Sequence, residues 1–106
     1  MKYDSGKDRI NLVPPDVIRA VSKVFAFGAD KYGENNWRDD MVNTSYVRTY
    51  NSIQRHLLDW LEGIDDDPES GLPHLDHALT QMMILRMQTM YSPDEMDDRY
   101  KGPNKQ

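Results

Sequence analysis

The stretch Tyr46-Val-Arg-Thr-Tyr50-Asn-Ser-Ile53-Gln-Arg-His56-Leu57-Leu-Asp59-Trp60-Leu61-Glu62 decides the fold class. Its apolar residues, Tyr46, Tyr50, Ile53, Leu57, Trp60 and Leu61, recur every three or four positions, the period of an amphipathic helix. Thr44 or Ser45 supplies an N-cap and Gly63 a stop. The same period recurs upstream in Val17, Ile18, Val21, Val24 and Phe25. With Pro14-Pro15 suited to an opening turn, it predicts a helix over 15–31. Downstream, Pro73 fits the first turn of a third helix, whose predicted apolar face is Leu75, Ala78, Leu79, Met82, Met83 and Met90. Ser92-Pro93-Asp94-Glu95 can start a short fourth helix. Period-two alternation is absent, so the expected fold is all-α, a three-to-four-helix antiparallel bundle.

Between these helices lie segments read as connections. Gly28 and Gly33 punctuate the end of the first helix, and the polar run to Asn43 reads as a loop. Residues 63–73 read as an acidic connector. Residues 1–101 are expected to form one domain, and 102–106 a frayed tail. At 106 residues and 38% hydrophobic content, one copy builds only a modest core. With a Met-rich third helix, that predicts completion of the bundle by homo-oligomerisation, as a dimer or tetramer.

Charge and composition narrow the function. A net charge of −5 argues against general nucleic-acid binding. The absence of cysteine excludes disulfides and thiolate metal sites. Neither an apolar leader nor a run near the ~18 residues of a membrane span is present, so a cytoplasmic location is expected, that of a host cell if the gene is viral. Gly6-Lys7-Asp8-Arg9 lacks the Gly-Lys-Ser/Thr of a Walker loop.

All three histidines, His56, His74 and His77, fall close together amid Asp59, Asp65, Asp66, Asp67 and Glu69. His56 and Asp59 share a helix face at i, i+3, as do His74 and His77. Two antiparallel helices can bring such pairs together into a mixed nitrogen and oxygen ligand set. Imidazole with carboxylate suits Mn, Fe, Ni or Zn, and a carboxylate-dominated set suits Mg or Mn. In the Lys31–Trp37 segment, Lys31 can meet a phosphate, Asn35 and Asn36 can read a base edge, and Trp37 can stack on a base. The alternative there is a turn with left-handed Asn and Trp37 lying over the core.

Together, Gly6-Lys7 with Arg9, Pro14-Pro15, Gly28-Ala29-Asp30-Lys31-Tyr32-Gly33 with Asn36-Trp37, Arg55-His56-Leu57 with Trp60, and Asp67-Pro68-Glu69-Ser70-Gly71-Leu72-Pro73-His74-Leu75 with His77-Ala78 resemble the phage-borne dATP/dGTP diphosphohydrolases. These are similar to the MazG-like all-α pyrophosphohydrolases. The resemblance spans residues 2–85 and is most specific from Asp67 to Ala78. It implies a single MazG-like helical domain. It also implies hydrolysis of a purine (deoxy)nucleoside triphosphate to monophosphate and pyrophosphate, with a divalent cation, Mg²⁺ or Mn²⁺. His56, Asp59, His74 and His77 are then expected around the metal, Asp67 or Glu69 at the attacking water or the metal, and Lys7, Arg9, Lys31 and Arg55 at the phosphates. The MazG-like pairs are Glu-x-x-Glu and Glu-x-x-Asp; here His56-x-x-Asp59 and His74-x-x-His77 take that geometry. Ile64 stands after Gly63, where relatives often carry Glu. A non-catalytic nucleotide-sequestering protein on the same scaffold is the alternative reading, and a helical protein-interaction module is a third.

Overall fold

Pro15 occupies the first turn of α1 (Pro15–Tyr32), where its missing N–H leaves no bond unmade. Gly33, at φ +102°, closes that helix by donating its N–H to the Ala29 carbonyl. The computed structural model describes residues 5–101; residues 102–106, read from sequence as a frayed tail, lie outside them. A 3₁₀ turn (Ile10–Leu12) precedes α1. Then come α2 (Asn36–Asn43), α3 (Tyr46–Leu61), α4 (His74–Tyr91) and a closing 3₁₀ turn (Asp94–Met96). Among the described residues, extended pairing is limited to one bridge between Asp66 and Pro73. The fold is all-α.

α2 corrects the sequence reading, which ran a loop through to Asn43. The helix follows Asn35 in the left-handed conformation (φ 62°), a geometry Asn tolerates better than most residues. Its Asn- and Asp-rich sequence has poor intrinsic helix propensity. Packing against α1 and α4 supplies what propensity does not: half-buried Trp37 lies against Phe25, ring centroids 5.9 Å apart.

α3 begins at an N-cap Ser45 that accepts from the Arg48 N–H. The segment after α4 returns to the same helix end, where Asp98 accepts from the Val47 N–H at 3.0 Å. α3 and α4 form the principal helix pair, and α4 also touches α1 and α2, so it is the central element.

The faces that α3 and α4 bury differ from the expected stripes. In α3, Tyr46 and Ile53 are buried, but Tyr50, Trp60 and Leu61 are exposed. In α4 only Ala78 of the expected apolar face is buried. Leu75, Leu79, Met82, Met83 and Met90 lie outward, each 39–51% exposed, while His74, His77, Thr80 and Gln88 turn inward. The interior is therefore small (Val21, Val24, Tyr46, Ile53 and Ala78) and shares its space with polar side chains. Gln88 donates from Nε2 to the Thr44 carbonyl at 2.7 Å and its backbone carbonyl accepts from the Tyr46 hydroxyl, while its buried side-chain Oε1 has no hydrogen-bond partner. Burying polar groups costs stability unless they are hydrogen-bonded. An interior of this kind is expected where a helix face serves a site.

Candidate active site

The inward face of α4 meets His56 of α3 beneath the connector 62–73. That connector is a built structure and not a free acidic loop. His74 N–H donates to the Asp65 carbonyl, Asp67 N–H to the Leu72 carbonyl and Gly71 N–H to the Asp67 carbonyl, all within 2.7–2.8 Å. Asp65 and Asp66 stay exposed, while Asp67 turns inward and is half-buried.

The three imidazoles converge. His56 Nδ1 lies 2.9 Å from His74 Nδ1, and the rings of His56 and His77 stack in near-parallel planes with centroids 4.7 Å apart. His56, His74 and Asp67 each offer one ligand atom, all within 4.8 Å of one another. Two imidazole nitrogens at right angles on a metal, each bound at about 2.0–2.1 Å, would lie about 3 Å apart. The His56–His74 spacing therefore fits a shared cation. The outer face of His74 fits too. With Nδ1 facing His56, its Nε2 is buried and lacks a hydrogen-bond partner, and Asp59 Oδ2 stands 3.7 Å away. A carboxylate behind a ligating histidine is the usual way its ring is oriented. Asp59 thus sits outside the converging group, whereas Asp67, in the connector, sits within it. His77 is also set apart, because its Nε2 is engaged by Ser70 Oγ at 2.6 Å, with Asp67 Oδ2 at 3.8 Å.

Of these groups His56, His77 and Asp67 line a cleft of about 750 Å³, while His74 and Asp59 are not among its lining residues. Along α3 the cleft is lined by Arg48, Ser52, Arg55 and His56, and along α4 by His77, Thr80, Gln81 and Gln88. Asn36 and Trp37 of α2 also line it. Trp37 combines the roles weighed from sequence, since it packs on Phe25 and also faces the cleft. Glu69 lies at the rim, where its Oε1 accepts from Lys31 Nζ at 2.6 Å. Lys7 and Arg9 are exposed ahead of α1 and are not among the residues lining the cleft. Arg48 and Ser70 also belong to the site, although the sequence reading only placed Arg48 on the His56 face and gave Ser70 a turn-capping role.

The electrostatics favour the neutral imidazole at His56 and His77 and the ionised carboxylate at Asp67. Burial lowers the pKa of His56, and the neighbouring His77 and His74 lower it further. Burial also lowers that of His77, against the opposing pull of Asp67. Burial alone would raise Asp67, but hydrogen bonds from the Ser70 backbone and side chain, together with the nearby imidazoles, bring it below its ordinary value. Unprotonated imidazole beside an ionised carboxylate is the state a metal ion requires.

The family described as dATP/dGTP diphosphohydrolase, N-terminal, matches residues 1–99. The chain belongs to this family. A relative named dATP/dGTP diphosphohydrolase, from Salmonella phage PMBT28, is 31% identical over 102 residues, covering 96% of this chain and 34% of the relative. The chain thus spans about a third of the length of that relative. No solved structure matches it. Among the described residues, no helix is long and apolar enough to cross a membrane.

The lowered pKa values give this family member a pH dependence with a definite sign. His56 and His77 bind protons less readily folded than unfolded, so their stabilising contribution is complete above the ordinary value of 6.5. It is lost as pH falls through the folded values. Asp67 acts in the same direction below 3.8. The metal-free melting temperature is therefore expected to be level near neutrality and to drop as pH falls from 6.5 toward 5. A rise over that interval, measured by circular dichroism, would contradict this reading.

Proposed function

We propose that this chain hydrolyses purine deoxynucleoside triphosphates, dATP or dGTP, to the monophosphate and pyrophosphate, with a divalent cation held by His56, Asp67 and His74. The observation carrying the proposal is the convergence of these three ligands, two of which, His56 and Asp67, line a cleft whose α3 residues include Arg48 and Arg55. The family membership supports it, and so does the name of the phage relative. A bound divalent ion would supply Lewis-acid charge at the phosphoryl oxygens.

The chain's own residues do the remainder. Arg48 and Arg55 hold the phosphates, Asn36 and Trp37 the base, and Asp59 orients His74. Water attacks the α-phosphorus, the new P–O bond forms as the bond to the bridging oxygen breaks, and pyrophosphate departs with that electron pair. Glu69, tied to Lys31 until the phosphates compete for the ammonium, takes the water's proton. Two nitrogens and one oxygen favour Mn²⁺ over Mg²⁺. One feature favours the sequestering alternative: imidazoles stand where the MazG-like pattern has carboxylates. A panel of the common nucleoside triphosphates with Mn²⁺ separates the readings. Turnover highest for dATP or dGTP supports hydrolysis, and tight binding of all without turnover supports sequestration.

Residues 1–101 are proposed to act as one domain, and a second copy to cover the outward Leu75, Leu79, Met82, Met83 and Met90 of α4. So much exposed apolar surface on one helix marks an interface. Light scattering at micromolar concentration is expected to give a dimer or tetramer, and Met82→Glu a smaller species. A monomeric wild type would contradict this assembly.

A further inference from the structure

Ser70 sits in the connector segment Asp67-Pro68-Glu69-Ser70-Gly71-Leu72-Pro73. Gly71 adopts φ +72°, a conformation that suits glycine, and this turn lets the segment close on itself through the Asp67 to Leu72 and Gly71 to Asp67 backbone bonds. The closure aims one hydroxyl at three groups. Ser70 Oγ lies 2.6 Å from His77 Nε2, 3.0 Å from Asp67 Oδ2 and 3.1 Å from the Leu72 N–H. The Ser70 N–H also donates to Asp67 Oδ2, at 2.9 Å.

We propose that Ser70 is the positioning residue of the cluster, its hydroxyl fixing His77 as the Nε2–H tautomer and holding the Asp67 carboxylate toward His56 and His74.

The assignment follows from counting hydrogens. A serine hydroxyl has one proton to give and two lone pairs to receive. The Leu72 N–H takes one lone pair. If the hydroxyl proton went to His77, Ser70 Oγ and Asp67 Oδ2 would face each other at 3.0 Å with no hydrogen between them, since an ionised carboxylate carries none. If His77 donates from Nε2 to Oγ and Oγ donates to Asp67, every contact is satisfied and the hydroxyl has no capacity left. Neutral His77 then carries its lone pair on Nδ1. The Asp67 carboxylate, receiving two bonds on Oδ2, is fixed on that side and offers Oδ1. The His77 part of this proposal is independent of any ligand, while the Asp67 part rests on the metal role proposed above.

The test has two arms on the full chain. Two-bond nitrogen–proton NMR correlation of the metal-free protein reads the tautomer of His77 directly. The Nε2–H form is expected in wild type and in Ser70→Thr, which keeps the hydroxyl, and a redistribution toward Nδ1–H in Ser70→Ala. A wild-type Nδ1–H form, or an unchanged tautomer in Ser70→Ala, would overturn the His77 assignment. Mn²⁺ affinity by electron paramagnetic resonance is expected to weaken about 10–100-fold in Ser70→Ala, as for other groups that orient ligands, and to recover in Ser70→Thr. Equal affinity in wild type and Ser70→Ala would overturn the Asp67 assignment. Absence of Mn²⁺ binding in wild type would overturn the metal role and the Asp67 assignment with it, leaving the tautomer to decide the His77 assignment.

Discussion

His74→Ala is expected to abolish the rise in melting temperature that Mn²⁺ produces in the wild-type protein. His74 is 2% exposed, and its Nδ1 faces His56 Nδ1 across 2.9 Å. Removing it leaves one imidazole and one carboxylate, too few groups to hold a divalent ion against water. A ligand that binds only the folded state adds about 2.7 kcal/mol of stability at roughly 100 times its Kd. For a domain near this size each kcal/mol moves the midpoint about 4–8 °C. The wild-type rise is therefore roughly 10–20 °C at saturating Mn²⁺. The variant will itself melt lower, because a buried ring has been removed, so the quantity to compare is the metal-induced increment. Asp59→Asn keeps all three converging ligands and is expected to retain a smaller increment. A full-sized increment in His74→Ala would remove His74 from the ligand set.

His56→Ala and Asp67→Asn are expected to lower kcat/KM for dATP or dGTP by roughly 10²–10³-fold. Charge stabilisation by a bound metal is worth several kcal/mol in the transition state, and each ~1.4 kcal/mol is tenfold in rate. Neither change removes Arg48 or Arg55, the arginines of α3 that line the cleft. Nucleotide dissociation constants measured without metal should therefore change far less than turnover. His56 is half-buried at the cleft edge and Asp67 is in the connector, so both variants should keep the helical circular dichroism of the wild type. Comparable loss of metal-free binding and turnover would mean that these residues hold the nucleotide and do not act in its cleavage.

Periodicity and caps made α1, α3 and α4 legible, because each helix has an apolar repeat and a Pro, Ser or Gly at its ends. α2 was illegible for the opposite reason: Asn36-Trp-Arg-Asp-Asp-Met-Val-Asn43 has little apolar repeat and poor propensity, and tertiary packing makes it a helix. The rotation of α4 was also hidden. A periodicity argument sends Met and Leu inward, yet His74, His77, Thr80 and Gln88 of α4 are buried, and His77, Thr80 and Gln88 line the cleft.

The histidine cluster was legible from its spacing, but the choice of carboxylate was not. Asp59 shares a face with His56 by sequence offset, whereas Asp67 arrives through the hydrogen-bonded fold of the connector. The pairing of Lys31 with Glu69 joins residues 38 positions apart, which no local pattern reveals. Ser70 did leave a signal, the Asp-x-x-Ser spacing of a side-chain-capped turn.

The product released from dATP and dGTP tests the central claim most directly. Wild-type protein with Mn²⁺ should yield deoxynucleoside monophosphate and pyrophosphate in equal amounts, because attack at the α-phosphorus expels the two outer phosphates together. Orthophosphate as the sole product, or tight binding of both nucleotides with no product at all, would contradict it.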